Sequence, residues 1–353
     1  MDIREILMGA TKAEASDIFI IPGQPVCYKV AGVINRRDAS MLMKNDTEDV
    51  VKQLYELADA RNQTQCFEGD DDFAISVPGV GRFRVNVFKQ RGSISAVLRT
   101  VSFDLPPIEE MGIPESLLKF GNEKKGLILV TGPAGSGKST SLSYIIDYIN
   151  SNRNCHILTL EDPIEFMHKH KKSIVSQREV SIDTKSYVVA LRAAMREAPD
   201  VILIGEMRDF ETIGTAMTAA ETGHLVLSTL HTVGAANTID RIIDVFPANQ
   251  QQQIKVQLSM VLKAVISQQL IPTKDGGIVP AFEVMINNNA IATMIRDGKI
   301  HQIDSVIYAG AKDGMMSMDS SIIELYRKGR IDENMAMTYC INPDVMKRGI
   351  ESR

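Results

Sequence analysis

Residues 132–139 read Gly-Pro-Ala-Gly-Ser-Gly-Lys-Ser, and the apolar run Leu127-Ile-Leu-Val-Thr131 stands directly before them. A strand, a glycine-rich turn and a helix in that order leave few folds open. The turn must bring several backbone N–H groups to one point, at the positive end of a helix dipole, where an anion is held. The pattern therefore implies a bound nucleoside triphosphate, ATP in its commonest form. Gly135 and Gly137 supply the bend, and Gly132, Pro133, Ala134 and Ser136 complete the cradle. Lys138 places a compact positive charge on the β- and γ-phosphates, the Ser139 hydroxyl suits a bridging magnesium ion, and Thr140 extends the polar edge. The following helix is expected over about Lys138–Asn150. A chance glycine turn is the competing explanation, and the match of all eight residues in the demanded context speaks against it.

With 353 residues, 44% hydrophobic and 24% charged, the chain has the make-up of an ordinary globular protein with room for two domains. Its net charge of −5 lacks the basic field that nucleic-acid binding calls for, so no nucleic-acid partner is expected. No apolar stretch approaches the roughly 20 residues that span a bilayer. The start, Met1-Asp-Ile-Arg-Glu, has no basic-then-apolar export pattern. A cytoplasmic location without membrane insertion follows as the expectation. Cys27, Cys66, Cys155 and Cys340 are scattered singly, which favours buried thiols over a zinc knuckle or a disulfide framework.

The chain is of α/β class in two parts. Residues 1–104 form a small α+β domain, with helices over 3–13 and 46–63 and short strands over 17–21, 26–30 and 73–77. A strand at 81–89 puts Phe83, Val85 and Val87 on one face and Arg82, Arg84 and Asn86 on the other; 94–101 repeats the alternation. Leu105-Pro-Pro-Ile108 breaks the pattern and marks a linker. Over 105–353 strands and helices alternate, which predicts a parallel sheet covered by helices. The strands are placed at 127–131, 156–161, 201–206, 225–229 and 279–284. Helices are placed at 234–246 and, as one long element, at 250–270, and most of the remainder is expected to be helical.

A phosphate-loop enzyme needs a carboxylate beside magnesium and the attacking water, at the end of an apolar strand. Val201-Ile-Leu-Ile-Gly-Glu206 provides one, with Asp200 and Asp209 as caps; a solvated strand-end acid is the blander alternative for Glu206. A second acidic stretch, Leu158-Thr-Leu-Glu-Asp-Pro-Ile-Glu165, offers Glu161 to orient or deprotonate water; the plainer role of Asp162 and Glu165 is to solvate a turn, which for Glu165 weighs as much as a site role. His224 and His231 bracket the fourth strand. His231 follows the strand end level with the loop, where an imidazole could sense the γ-phosphate and pass the signal to the helix at 234–246. Arginines stabilise charge spreading over the γ-phosphate, by roughly a thousandfold or more in rate when supplied by a neighbouring subunit. Arg82, Arg84 and Arg99 in the small domain and Arg192, Arg196 and Arg208 near the acidic strand are the candidates, with a solvated strand face as the plainer role of the first two.

Taken together, GPAGSGKST at 132–140, ILTLEDPIEF at 157–166, LIGEMRDFETI at 203–213 and TAAETGHLVLSTLHT at 218–232 resemble the four nucleotide-site boxes of the secretion ATPase superfamily, which serves type II secretion and type IV pili. RFRVNVFKQRG at 82–92, TIDRIIDVFP at 238–247 and IRDGKIHQI at 295–303 are similar to the pilus retraction ATPases within it. The resemblance covers most of residues 80–345. It implies an N-terminal PAS-like domain followed by a RecA-like ATPase domain, a homohexameric motor with ATP and magnesium at sites completed by the neighbouring subunit, and a position at the inner face of the cytoplasmic membrane against an inner-membrane pilus platform protein. It also implies Glu161 as the acidic-box and Glu206 as the Walker B glutamate, with His224 and His231 as the histidine-box pair.

Assembly ATPases of the superfamily usually carry extra N-terminal domains and a four-cysteine zinc insertion, neither of which this sequence contains. Two segments depart from the retraction pattern. Ala290-Ile-Ala-Thr-Met-Ile-Arg-Asp297 replaces Ala-Ile-Arg-Asn-Leu-Ile-Arg-Glu, and Ser16-Asp-Ile-Phe19 replaces Ser-Asp-Leu-His. The main retraction motor and an accessory paralogue both stay open, as do an assembly or secretion ring ATPase and a nucleotide-gated scaffold with little turnover.

Overall fold

The computed structural model describes residues 1–58, 69–101 and 105–352. The chain falls into two compact units, Met1–Asp104 with Glu165–Met167, and Leu105–Ile164 with His168–Arg353.

In the first unit, helix α1 (Ile3–Lys12) starts under Asp2, whose side chain accepts from the Arg4 N–H, and buries Ile3, Ile6, Leu7 and Ala10 at helical spacing. Six strands form an antiparallel sheet: β1 (Asp17–Ile20), β2 (Cys27–Val30), β3 (Val33–Arg36), β4 (Asp71–Val77), β5 (Gly81–Gln90) and β6 (Ser93–Val101), in the order β3-β2-β1-β6-β5-β4. Alternation in β5 sends Phe83, Val85 and Val87 into the core and opposes Arg84 to Arg99 across the ladder. Strand β3 escaped the sequence reading because all its residues are exposed. Ala31 and Gly32, with φ of 48° and 81°, make the tight two-residue turn that folds β3 back on β2. Helix α2 covers Lys44–Leu57; residues 59–63 of the helix expected at 46–63, and Cys66, lie outside the described residues.

In the second unit residues 105–107 have no regular structure before the short helices α3 (Ile108–Met111) and α4 (Glu115–Leu118). Seven strands follow: β7 (Gly126–Thr131), β8 (His156–Glu161), β9 (Ile174–Glu179), β10 (Val201–Ile204), β11 (Leu225–Leu230), β12 (Leu262–Pro272) and β13 (Ile278–Ile286). Their order is β13-β12-β7-β11-β10-β8-β9, parallel throughout except for the β12–β13 hairpin. Such a sheet is buried on both faces, so every residue of β7 and β11 is buried and neither strand alternates apolar with charged positions. Helix α5 (Lys138–Asn152) covers one face, packing Ile145, Ile146 and Ile149 over Ile128 and Val130. The opposite face carries α6 (Tyr187–Ala194), α7 (Phe210–Glu221), α8 (Ala235–Asp244) and α9 (Ala248–Val261), together with α10 (Asn289–Asp297) and α11 (Ile303–Ala309). A satellite core under α12 (Met318–Arg327), α13 (Glu333–Tyr339) and α14 (Pro343–Glu351) buries Ile271, Met318, Ile322 and Met346. Among the described residues no helix is long and apolar enough to cross a membrane.

Two differences from the sequence reading bear on the site. The helix expected over 250–270 ends at Val261, and Leu262–Pro272 is strand β12, wedged between β7 and β13. Strand β10 stops at Ile204, so Glu206 stands in the turn beyond the sheet rather than on the strand.

Candidate nucleotide site

Because β7, β8, β10 and β11 run parallel, their C-terminal ends share one edge of the sheet, and every loop leaving that edge can converge. The loop after β7 turns through Gly132, Gly135 and Gly137 at φ of 143°, 75° and 84°, and Gly137 caps α5. Lys138 is 7% exposed. Its Nζ donates to the carbonyls of Gly132 at 3.0 Å and Pro133 at 2.8 Å, and lies 3.4 Å from His231 Nδ1. Ser136 Oγ is buried with no partner among the described residues. Pro133, Ala134 and Gly135 are exposed at the mouth, and Ser139 and Thr140 are half-buried on the first turn of α5.

Glu206 is aimed by its neighbours' backbones. Gly205 donates to Leu160 O at 2.7 Å, Thr229 Oγ1 donates to Gly205 O at 2.6 Å, and Met207 donates to Thr229 O at 3.2 Å. One carboxylate oxygen then meets Arg208 Nη2 at 2.8 Å and the other His231 Nε2 at 3.4 Å. His231 thus links Lys138 to Glu206. An imidazole carrying its proton on Nε2 satisfies both, accepting from the ammonium at Nδ1 and donating to the carboxylate. The four residues Lys138, His231, Glu206 and Arg208 form one chain of alternating donors and acceptors at the mouth of the loop.

Glu161 ends β8 beside this chain, its Oε1 accepting from Thr159 Oγ1 at 2.7 Å and Gln177 Nε2 at 3.3 Å. Tyr187, which the sequence reading did not select, stands against it at the start of α6, beneath the Ser186 cap. Burial raises the Tyr187 phenol above its usual range, and the charges of Asp162, Glu206 and Glu161 add to that, so it keeps its proton. Gln268, also unselected, lies on β12 against the loop, where its carbonyl oxygen is 2.1 Å from the place a Cβ on Gly132 would take.

Other expected residues fall elsewhere. His224 stands at the opposite end of β11, the length of a six-residue strand or about 20 Å from the loop edge. There its Nδ1 and backbone N–H both face Ala219 O, so within one subunit it does not join the cluster. Arg82, Arg84 and Arg99 belong to the first unit: Arg82 Nη1 donates to Ser76 Oγ at 3.3 Å, Arg99 Nε pairs with Asp17 at 3.1 Å, and Arg84 is exposed. Arg196 bonds the Arg192 carbonyl on α6. Asp209 caps α7, whereas Asp200 accepts from the His156 N–H instead of capping a helix. Glu165 is exposed in the segment that groups with the first unit.

The cradle fits a nucleoside phosphate: glycine-only backbone, one desolvated ammonium and an orphaned buried hydroxyl converge at a helix N-terminus. Ser139 and Glu206 supply hard oxygen donors, one hydroxyl and one carboxylate, the sparse set that suits magnesium sharing its coordination with phosphate and water.

Comparisons with known proteins place the chain among its relatives. Residues 1–330 match the family "Type II/IV secretion system protein". The chain is 46% identical to the type IV pilus retractation ATPase PilT of Pseudomonas aeruginosa over 338 residues, 95% of this chain and 97% of that protein. It is 39% identical to the type IV pilus ATPase PilU of the same organism, covering 100% of this chain and 93% of that one. The crystal structure of the pilus retraction motor PilT with bound ADP superposes with a TM-score of 0.88 at 46% identity, covering 99% of each chain. With a RecA-like ATPase unit behind a smaller α+β unit and this similarity along its whole length, the chain belongs to the type II/IV secretion system protein family, as an ATPase of its pilus retraction branch.

Proposed function

We propose that the chain is a homohexameric magnesium-dependent ATPase that drives type IV pilus retraction, working at the inner face of the cytoplasmic membrane against an inner-membrane platform protein. The observation that carries the reading is the continuous link from Lys138 through His231 to Glu206 at the mouth of the phosphate loop. A triphosphate draws Lys138 from the loop carbonyls onto its β- and γ-oxygens, which releases Nδ1 of His231. Glu206 and the Ser139 hydroxyl would hold a magnesium ion, which would supply charge neutralisation on the phosphates. Glu206 and Glu161 orient water for in-line attack, and the imidazole, still held to Glu206 through Nε2, takes up its bond to Lys138 again when the γ-phosphate leaves. Arg82, Arg84 and Arg99 are the candidates to reach a neighbour's γ-phosphate, Arg84 foremost because it is exposed without an ion-pair partner among the described residues. The match to PilT supports the pilus assignment, as that protein is named for retraction.

Phosphate release by the purified protein and by Glu206→Gln tests the chemistry. The variant should still bind nucleotide and lose about a hundredfold or more in rate; equal rates would remove Glu206 from hydrolysis. Deletion of the gene tests the biology, accumulation of surface pili supporting retraction and their loss supporting assembly. A second reading, an accessory retraction ATPase, draws on the full-length similarity to PilU and on Ala292 of α10, which stands where the retraction pattern has arginine. Retained pilus retraction in the deletion strain would favour it.

A further inference from the structure

Gln268 is 3% exposed on β12, and among the described residues its carboxamide is hydrogen-bonded through the oxygen alone. Its Oε1 accepts from Ser141 Oγ at 2.7 Å, on the first turn of α5. Its Nε2 makes no hydrogen bond among the described residues and lies 2.9 Å from the point a Cβ on Gly137 would occupy, directly beneath the phosphate loop. Its backbone carbonyl bears on Gly132 at the other end of the same loop. One residue therefore touches both hinges of the loop and the helix that follows.

The placement comes from the topology. Strands β7 and β12 pair in parallel as far as Thr131 and Ser267, so Gln268 is the β12 residue level with the point where β7 opens into the loop. Alternation sends successive side chains to opposite faces. Gln268 faces α5, while Ser267 faces the other side and accepts from the Gly234 N–H at 2.9 Å, three residues after His231.

We propose that Gln268 is a positioning residue of the nucleotide site, holding the phosphate loop and α5 in the register that the phosphates require and setting an uncharged donor beside Gly137. This rests on the loop being a nucleotide site. A bond from an amide to a loop that carries negative ligands is sensitive to charge, whereas mere packing is sensitive to volume, and the two predict opposite rankings of substitutions. Gln268→Glu is nearly isosteric and keeps the acceptor for Ser141, but it loses the Nε2 donor and adds a carboxylate beneath the phosphates. Gln268→Ala removes the group and leaves a void.

The full-length protein should be compared as wild type, Gln268→Glu, Gln268→Ala, Ser141→Ala and Lys138→Ala, reading the Kd for magnesium ADP by calorimetry, the KM for ATP, kcat and Tm. We expect Gln268→Glu to raise Kd and KM by about tenfold or more, and Gln268→Ala and Ser141→Ala by about threefold. Gln268→Glu should stay folded with a Tm below wild type at pH 8, and both that gap and its binding deficit should narrow as pH falls from about 8 to about 6, because a carboxyl in that buried position protonates easily. Wild-type affinity in Gln268→Glu, or a larger loss in Gln268→Ala than in Gln268→Glu, overturns the proposal. If either Gln268 variant fails to fold, Ser141→Ala decides: unchanged affinity there overturns it as well. Equal binding by wild type and Lys138→Ala would instead remove the nucleotide site on which the proposal stands.

Discussion

An alanine at 132 would put its Cβ 2.1 Å from the Gln268 carbonyl oxygen and 2.7 Å from Ser136 Oγ, at a φ of 143° that side chains avoid. The carbonyl belongs to the backbone of a strand held in its ladder, so the loop itself must give way. Gly132→Ala is therefore expected to lose nucleotide binding, seen as calorimetric silence with magnesium ADP, while the far-UV spectrum stays native. His168 gives a second residue-level prediction. Burial holds its imidazole down at about 4, with Lys171 adding to the effect and Asp147 opposing it. The unfolded chain, titrating near 6.5, then binds more protons than the native one between those two values. Stability should fall as pH drops from about 6.5 to about 4, by about 3 kcal/mol in all. Urea melts across that range should show a shallower slope for His168→Gln. The loop, Glu206 and His231 were legible in the sequence because phosphate chemistry dictates residue type, spacing and strand context together. Gln268 was not: it meets Ser141 across 127 residues of chain, and no local pattern marks a glutamine that will arrive beside a distant loop.

Among the elements, the β12–β13 hairpin departs furthest from the sequence pattern. Leu262–Pro272 follows α9 with no intervening turn, and Gln268 and Gln269 are good helix formers, so local propensity extends the helix. Pairing with β7 on one side and β13 on the other decides for strand, a tertiary effect that overrides propensity. The parallel strands, by contrast, were readable as apolar runs because both their faces are buried. The hairpin also holds the start of α8, since Ser267 Oγ accepts from Gly234 N–H and Glu283 Oε1 from Ala235 N–H at 2.8 Å. Burial lifts the Glu283 carboxyl above the usual range, while the Ala235 bond at a helix N-terminus pulls the other way. Glu283→Ala leaves that buried N–H unpaired and should cost about 2 kcal/mol in chemical denaturation. Glu283→Gln, which keeps an acceptor oxygen, should cost less; equal costs would show that the acceptor contributes nothing.

For the molecule as a whole, the proposed ring predicts that mass and turnover rise together. Light scattering with nucleotide should report six copies of the 39.0 kDa chain, and specific activity should fall on dilution below the assembly threshold. A monomer with full activity at every concentration would contradict a site shared between subunits. The Pro-Pro break at 106–107 stands close to the border of the two units at Asp104 and Leu105, whereas nothing in the sequence marks Glu165–Met167 for the first unit, because a three-residue excursion carries no compositional mark. The burial of Lys138 also bears on how dissolved salt acts on nucleotide binding. Its ammonium shed most of its hydration when the chain folded and rests on two carbonyl dipoles, so an arriving nucleotide meets a cation already dehydrated and shielded from dissolved ions. Counter-ions screen such a buried charge weakly, so its hold on the phosphates should slacken less with added salt than that of a surface lysine.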